Sequence, residues 1–277
     1  MGRDLESATF TREQRLRYRD KVKTCLDVFE QMLATRSFEF ERPLAGMEIE
    51  LNLVDPDYRP KPDNAEVLAA IADPEYQTEL ARFNIEFNVA PHPLGGDSAV
   101  TLERDLRASL NQAERRCAEL GAHILMIGIL PTIMAEHFEG DWMSANARYQ
   151  ALNDAVLAAR GEDILLDIAG PTGERLQAWA DSLAPESACT SMQLHLQVRP
   201  SEFAAHWNAA QVLAGPQLAL GANSPYFLGK ELWAETRIEL FTQAADTRPV
   251  ELKNQGVRPR VFFGERWITS IFDLFEE

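Results

Sequence analysis

Glutamate, asparagine, glutamine and histidine recur on three short stretches of this chain in a spacing that could hold a metal ion. Residues 46–53 read Gly-Met-Glu-Ile-Glu-Leu-Asn-Leu, residues 83–89 read Phe-Asn-Ile-Glu-Phe-Asn-Val, and residues 190–198 read Thr-Ser-Met-Gln-Leu-His-Leu-Gln-Val. In each, apolar and polar residues alternate with period two, the pattern of a half-buried β-strand. Successive strand side chains point to opposite faces. Glu48, Glu50 and Asn52 therefore share a face, as do Asn84, Glu86 and Asn88, and as do Gln193, His195 and Gln197. An ordinary wet sheet face favours Thr, Lys and Arg. These faces offer oxygen and imidazole ligands instead.

Glu48 and Glu50 emerge about 7 Å apart on one strand face. Carboxylates so placed repel unless a cation or protons compensate. Mg²⁺ binds such oxygens and often bridges one or two carboxylates to substrate phosphates. The competing reading is a pair of solvated glutamates on an exposed strand. His195 stands beside Gln193 and Gln197 and opposite Met192, Leu194 and Leu196, an orientation that suits a ligand better than a core histidine. Arg237, Arg248, Arg258, Arg260 and Arg266 gather basic charge in an otherwise acidic chain. Arginine binds carboxylates and phosphates bidentately, and its common alternative is a nearby surface acid. There is no P-loop, Rossmann glycine signature, Gly-x-Ser-x-Gly elbow or HExxH motif.

The elements that must position these residues follow from pattern and punctuation. Thr11-Arg-Glu-Gln14 predicts a capping box and a helix, with Val22, Leu26, Phe29 and Leu33 along one face. Strands are expected at about 45–54, 83–90 and 189–199. Short helices are expected over 64–71 and 74–82, and longer ones over 98–120, 145–160 and 201–215. Residues 91–96 carry Pro and Gly and predict a loop. The run 124–130 has no polar alternation and predicts a strand buried on both faces. Residues 219–237 read mostly as loop. No internal repeat or linker interrupts the chain, which predicts a single α+β domain over residues 1–277.

Composition narrows the function further. The chain has 277 residues, 45% of them hydrophobic, enough for a sizeable core. Its formal net charge of −16 argues against nucleic acid and against anionic membranes as partners. Three widely spaced cysteines, Cys25, Cys117 and Cys189, predict no disulfide framework or zinc site and suit a reducing cytoplasm. Cys25 and Cys117 fall at apolar helix positions and are expected in the core. The first residues are acidic without an apolar stretch, unlike a secretory signal.

Gly46-Met-Glu-Ile-Glu-Leu-Asn-Leu, Asn84-Ile-Glu-Phe-Asn, Gln193-Leu-His-Leu-Gln and Gly221-Ala-Asn-Ser-Pro-Tyr together resemble the glutamate–cysteine ligase family 2, the carboxylate–amine ligases, in order from about residue 43 onward. The likeness is strongest to the longer actinobacterial-type members. It implies a glutamine-synthetase-like fold with an antiparallel active-site sheet. It also implies ATP and Mg²⁺ as cofactors, with glutamate and an amine such as cysteine as small-molecule substrates. Homo-oligomers are left open. By resemblance, Glu48, Glu50 and Glu86 would hold metal, and His195, Asn223, Ser224 and Arg237 would bind the nucleotide and phosphates. His195 and Arg237 would be the catalytic pair. The implied mechanism is phosphorylation of the glutamate γ-carboxylate followed by attack of the amine. Guanidino-kinase-like phosphoryl transfer and a non-catalytic Mg²⁺–ATP module are the alternatives. Family members carry a further strand with a glutamate and an arginine that residues 238–277 do not supply. The amphipathic run 267–277 also lacks a stop signal. The expectation is a shortened chain with little ligase activity alone.

Overall fold

A computed structural model of the chain describes residues 7–38 and 42–275. The first helix, α1 (Arg12–Thr35), starts where the capping box places it. Thr11 Oγ1 accepts from the Gln14 amide at 3.2 Å, and Gln14 Oε1 accepts from the Thr11 amide at 2.7 Å. No residue of α1 is buried, however. Cys25, expected in the core, is exposed, whereas Cys117 is buried as expected. The helix has an apolar stripe but no sheet beneath it.

The central strand is β1 (Leu44–Val54). It pairs antiparallel with β3 (Asn84–Pro93) along one edge. Its other edge is shared by β7 (Met192–Leu196) and β4 (His123–Leu125). The short β2 (Tyr76–Thr78) adds beyond β3, which completes a five-stranded antiparallel sheet. The period-two pattern explains its two faces. Ile49, Leu51, Leu53, Ile85 and Phe87 all point one way and are buried against α2 (Asn64–Ile71) and α3 (Ser98–Ala118), through Val67, Ile71, Ala113 and Cys117. Tyr76 stacks on Phe87 with ring centroids 4.4 Å apart. The acids and amides of β1 and β3 must then share the opposite face.

A second core packs around the hairpin of β5 (Ile164–Ala169) and β6 (Arg175–Ala180). Ile164, Leu166, Ile168, Leu176, Phe227 and Leu240 are buried there. They are contributed by the hairpin, by β8 (Tyr226–Phe227), which pairs with the exposed two-residue β9 (Lys230–Glu231), and by α7 (Arg237–Ala244). α4 (Ala147–Arg160), α5 (Ala184–Ser187), α6 (Phe203–Gly221) and α8 (Val250–Asn254) complete the order. No helix among the described residues is long and apolar enough to cross a membrane.

Several local expectations are corrected. Residues 74–82 are not a helix: Tyr76–Thr78 joins the sheet, because Tyr76 finds Phe87 across the ladder. β3 runs on through Pro91 to Pro93, and a register shift between Ala45 and Met47 takes up the irregular stretch. The strand near 190 is shorter than expected, and the β5–β6 hairpin has no counterpart in the sequence reading. The run 124–130 is a strand only to Leu125. Beyond it, a side chain and a loop amide replace a neighbouring strand as partners. The Gly128 amide donates to Asn223 Oδ1 at 3.1 Å, and the Gly128 carbonyl accepts from the Thr190 amide at 2.9 Å. The buried backbone is thus satisfied without a ladder.

Candidate metal and substrate cleft

The register of the sheet assembles the acidic face. Glu50 lies directly opposite Glu86, Glu48 opposite Asn88 and Gln193, and Gly46 opposite His195. Glu48, Glu50, Glu86 and His195 consequently share one face of one antiparallel sheet. A fourth glutamate reaches the same place from the turn between β2 and β3. Glu50, Glu79 and Glu86 bring carboxylate oxygens within 4.8 Å of one another. Asn88 donates to Glu86 Oε1 at 2.6 Å, and its own Oδ1 is buried without a hydrogen-bond partner. Glu50 Oε2 accepts from the Ser191 amide at 2.7 Å. Such a set of hard oxygen donors fits a divalent cation such as Mg²⁺.

Beside Glu50 opens a cavity of about 980 Å³. Its walls include Gly128, Glu186, Thr190, Asn223 and Arg237. Arg237 is held in place from behind. Its Nε and Nη2 donate to the two carboxylate oxygens of Glu235, the second at 2.9 Å, and its Nη1 donates to the Thr190 carbonyl at 2.6 Å. Ser224, fully buried, donates to Glu235 Oε1 at 2.9 Å. A chain of buried amides ties this wall to the sheet. Asn84 donates to Asn52 Oδ1 at 3.1 Å, and Asn52 donates to Thr190 Oγ1 at 3.3 Å. Buried polar networks of this kind fix relative positions because breaking them leaves further groups unpaired, although Asn84 Oδ1 itself has no hydrogen-bond partner.

Electrostatics separate these acids from surface glutamates. Burial, then the nearby Glu79 charge, pushes the Glu50 carboxyl from its ordinary 4.5 up to about 8. Glu186, on the cleft wall, is pushed up to about 7 by the same two causes. Burial also raises Glu79. A carboxyl whose folded pKa exceeds its unfolded value holds its proton more tightly when folded. Its contribution to stability is whole below the unfolded pKa and is lost as pH rises through the folded one. The metal-free protein is therefore expected to lose stability as pH rises from about 4.5 to about 8. Thermal melts across that range, with chelator, check it; a rising melting temperature would contradict the buried-acid assignment. Added Mg²⁺ is expected to raise the melting temperature more at pH 8 than at pH 5.5, because only deprotonated carboxylates bind it.

The structure sorts the sequence candidates. Glu50 and Glu86 meet in the acidic cluster. Glu48 lies farther along β1, with its Oε1 3.7 Å from His195 Nε2. His195 sits half-exposed on a strand that, among the described residues, pairs along one edge only. Asn223 and Arg237 line the cleft, whereas Ser224 faces away from it and supports Glu235. Arg248 and Arg258 take the structural alternative, 2.9 Å from Asp246 and 3.0 Å from Glu265. Besides Glu235, which pairs with Arg237, two further acids escaped the sequence reading. Glu79 lies in a turn, where period-two reasoning says nothing. Glu186 stands alone in the apolar and small run Leu183 to Ala188, and that solitary charge was the available signal.

A family model for glutamate–cysteine ligase family 2 matches residues 44–258, a span that begins with β1 and contains the whole cleft. No curated protein matches the chain.

Proposed function

The chain belongs to the glutamate–cysteine ligase family 2, and from that premise we propose that it joins the γ-carboxylate of glutamate to an amine, cysteine being the first candidate, at the expense of ATP. The observation that carries this reading is the convergence of Glu50, Glu79 and Glu86 at the edge of a cavity that Arg237 enters from another wall. On this reading the five-stranded sheet is the active-site sheet of a glutamine-synthetase-like fold.

Glu50, Glu79 and Glu86 would hold Mg²⁺, with the buried Asn88 Oδ1 close by as a neutral oxygen. The ion supplies positive charge against the phosphate oxygens when bound. The protein's own part is alignment and charge. Glu235 and the Thr190 carbonyl pin the Arg237 guanidinium, yet two of its five N–H groups stay available for a phosphate or carboxylate. A carboxylate is a poor electrophile, so phosphorylation to an acyl phosphate must precede amine attack. The amine attacks only once it has lost its proton. Glu186, with a carboxyl near 7, is the cleft acid matched to taking it. His195, whose Nε2 is 3.7 Å from Glu48 Oε1 on the same sheet face, would meet the outer part of a nucleotide. No protein nucleophile is required, since positioning and electrostatics account for such transfers.

The test is turnover with Mg²⁺, ATP, glutamate and a panel of amines that includes cysteine. One ADP formed per γ-glutamyl amide supports the proposal. ADP released with a phosphorylated product and no amide would assign phosphoryl transfer instead. Tight Mg²⁺–ATP binding with no product would leave a binding module.

A further inference from the structure

The helix α1 stands apart from the ligase fold. It precedes the matched span of residues 44–258, and none of its 24 residues is buried. Phe29 meets Phe38 and Phe275 edge-on, which covers part of one turn near its C-terminal end. Helical stability in water comes mostly from packing an apolar face, and α1 packs its own only in part, Leu26, Phe29, Met32 and Leu33 being half-buried while the first half of the stripe is exposed. The apolar face is regular. Tyr18, Val22, Cys25, Phe29 and Met32 follow one another by alternating steps of four and three, the seam of a two-stranded coiled coil, and Leu26 and Leu33 flank it. Tyr18 is 68% exposed and Val22 40% exposed.

Charge along the helix is divided. Residues 12–23 carry six bases, Arg12, Arg15, Arg17, Arg19, Lys21 and Lys23, against Glu13 and Asp20, a net of +4. Residues 24–35 carry Asp27 and Glu30 and no base, a net of −2. We propose that α1 is a docking surface for α1 of a second copy of this chain, with the two helices antiparallel. Centred between Lys23 and Thr24, that pairing sets Val22 against Cys25, Tyr18 against Phe29 and Arg15 against Met32. Every layer then joins one seam position to its complement, and each basic half lies along an acidic half. A parallel pair would instead stack Arg15 on Arg15 inside the seam and align two halves of like charge.

Sedimentation of the full chain tests the proposal. Wild-type protein is expected to be dimeric at micromolar concentration. Val22→Glu is expected to raise the dimer dissociation constant roughly tenfold or more, about 1.4 kcal/mol, with an unchanged melting curve for the rest of the fold. Tyr18→Glu, at an even more exposed position, repeats the test independently. Orientation is read by mild oxidation. Val22→Cys is expected to give a disulfide-linked dimer through Cys25 of the other copy, mapped by peptide mass spectrometry, while wild-type Cys25 does not link to itself. Three results would overturn the proposal: a monomeric wild type, including one that binds anionic vesicles instead; a dimer indifferent to both glutamate variants; or a rapid Cys25–Cys25 disulfide, which marks a parallel pair.

Discussion

Glu50→Gln is expected to weaken Mg²⁺–ATP binding by roughly a hundredfold, about 2.8 kcal/mol at 1.4 kcal/mol per tenfold, while making the metal-free protein more stable at pH 8. Both effects have one origin. Glu50 sits among Glu79 and Glu86 with oxygens within 4.8 Å, and its carboxyl is raised to about 8. At pH 8 the metal-free fold must hold about half of this group charged in a crowded, poorly solvated place. A neutral amide of the same shape removes that cost and keeps an oxygen to accept from the Ser191 amide. With a cation bound the sign reverses, because the charge that repelled now attracts. Titration calorimetry with Mg²⁺–ATP and thermal melts in chelator measure the two halves separately. Glu48→Gln serves as the comparison and is expected to change affinity far less, since Glu48 lies outside the triad and beside His195. Equal affinity for wild type and Glu50→Gln would make these residues ordinary structural acids.

Gly128→Ala is expected to damage both the fold and turnover. A Cβ at Gly128 would stand 2.5 Å from Asn223 Oδ1 and 2.7 Å from Arg237 Nε. Neither neighbour is free to move. Asn223 is engaged by the Gly128 amide, and Arg237 is fixed by Glu235 and Thr190. Overpacking a fixed site costs about 1–3 kcal/mol. Displacing Arg237 should add a loss of turnover of roughly 10²–10³, the scale of one lost transition-state contact. Gly215→Ala is the matched control. It lies in α6 with no atom outside its chain neighbours within 4 Å of its new methyl, and because the following Pro216 crowds a helical residue that bears a Cβ, the helix propensity gained is offset and little change in stability is expected. Chemical denaturation and turnover of the two variants decide the matter. A Gly128→Ala protein with normal stability and activity would show that the cleft wall yields.

The sequence made the sheet legible because alternation is a local property. Met47, Ile49 and Leu51 against Glu48, Glu50 and Asn52 specify which face is buried before any partner is known. The pairing itself then put Glu50 beside Glu86 rather than beside Asn84 or Asn88, a choice that alternation alone leaves open. What local pattern could not supply was the contribution of irregular backbone. Glu79 enters from a turn, Glu186 from a four-residue helix, and Gly128 from a stretch whose hydrogen bonds go to a side chain and a loop amide. Their positions depend on contacts between residues far apart in the chain. The same reason explains Ser224. Its motif with Asn223 is continuous, but adjacent residues point apart, so one lines the cleft and the other braces the wall behind it. α1 is the opposite case, since its pattern was read correctly while its place was not. A stripe tells that a helix wants a partner without saying that the partner lies within the same chain.

Ser191 and Glu50 are joined twice, once between main chains, where the Glu50 amide donates to the Ser191 carbonyl at 2.9 Å, and once from the Ser191 amide to the Glu50 carboxylate at 2.7 Å. The second bond makes the Ser191 amide proton a resident spectroscopic probe. A cation drawn to Glu50 competes for the oxygen that this proton touches, and protonation of the same carboxyl weakens its pull as an acceptor. In a nitrogen-15-labelled sample, one resonance should therefore follow both the titration of the acid and the arrival of the metal, without a dye, a substrate or a coupled assay.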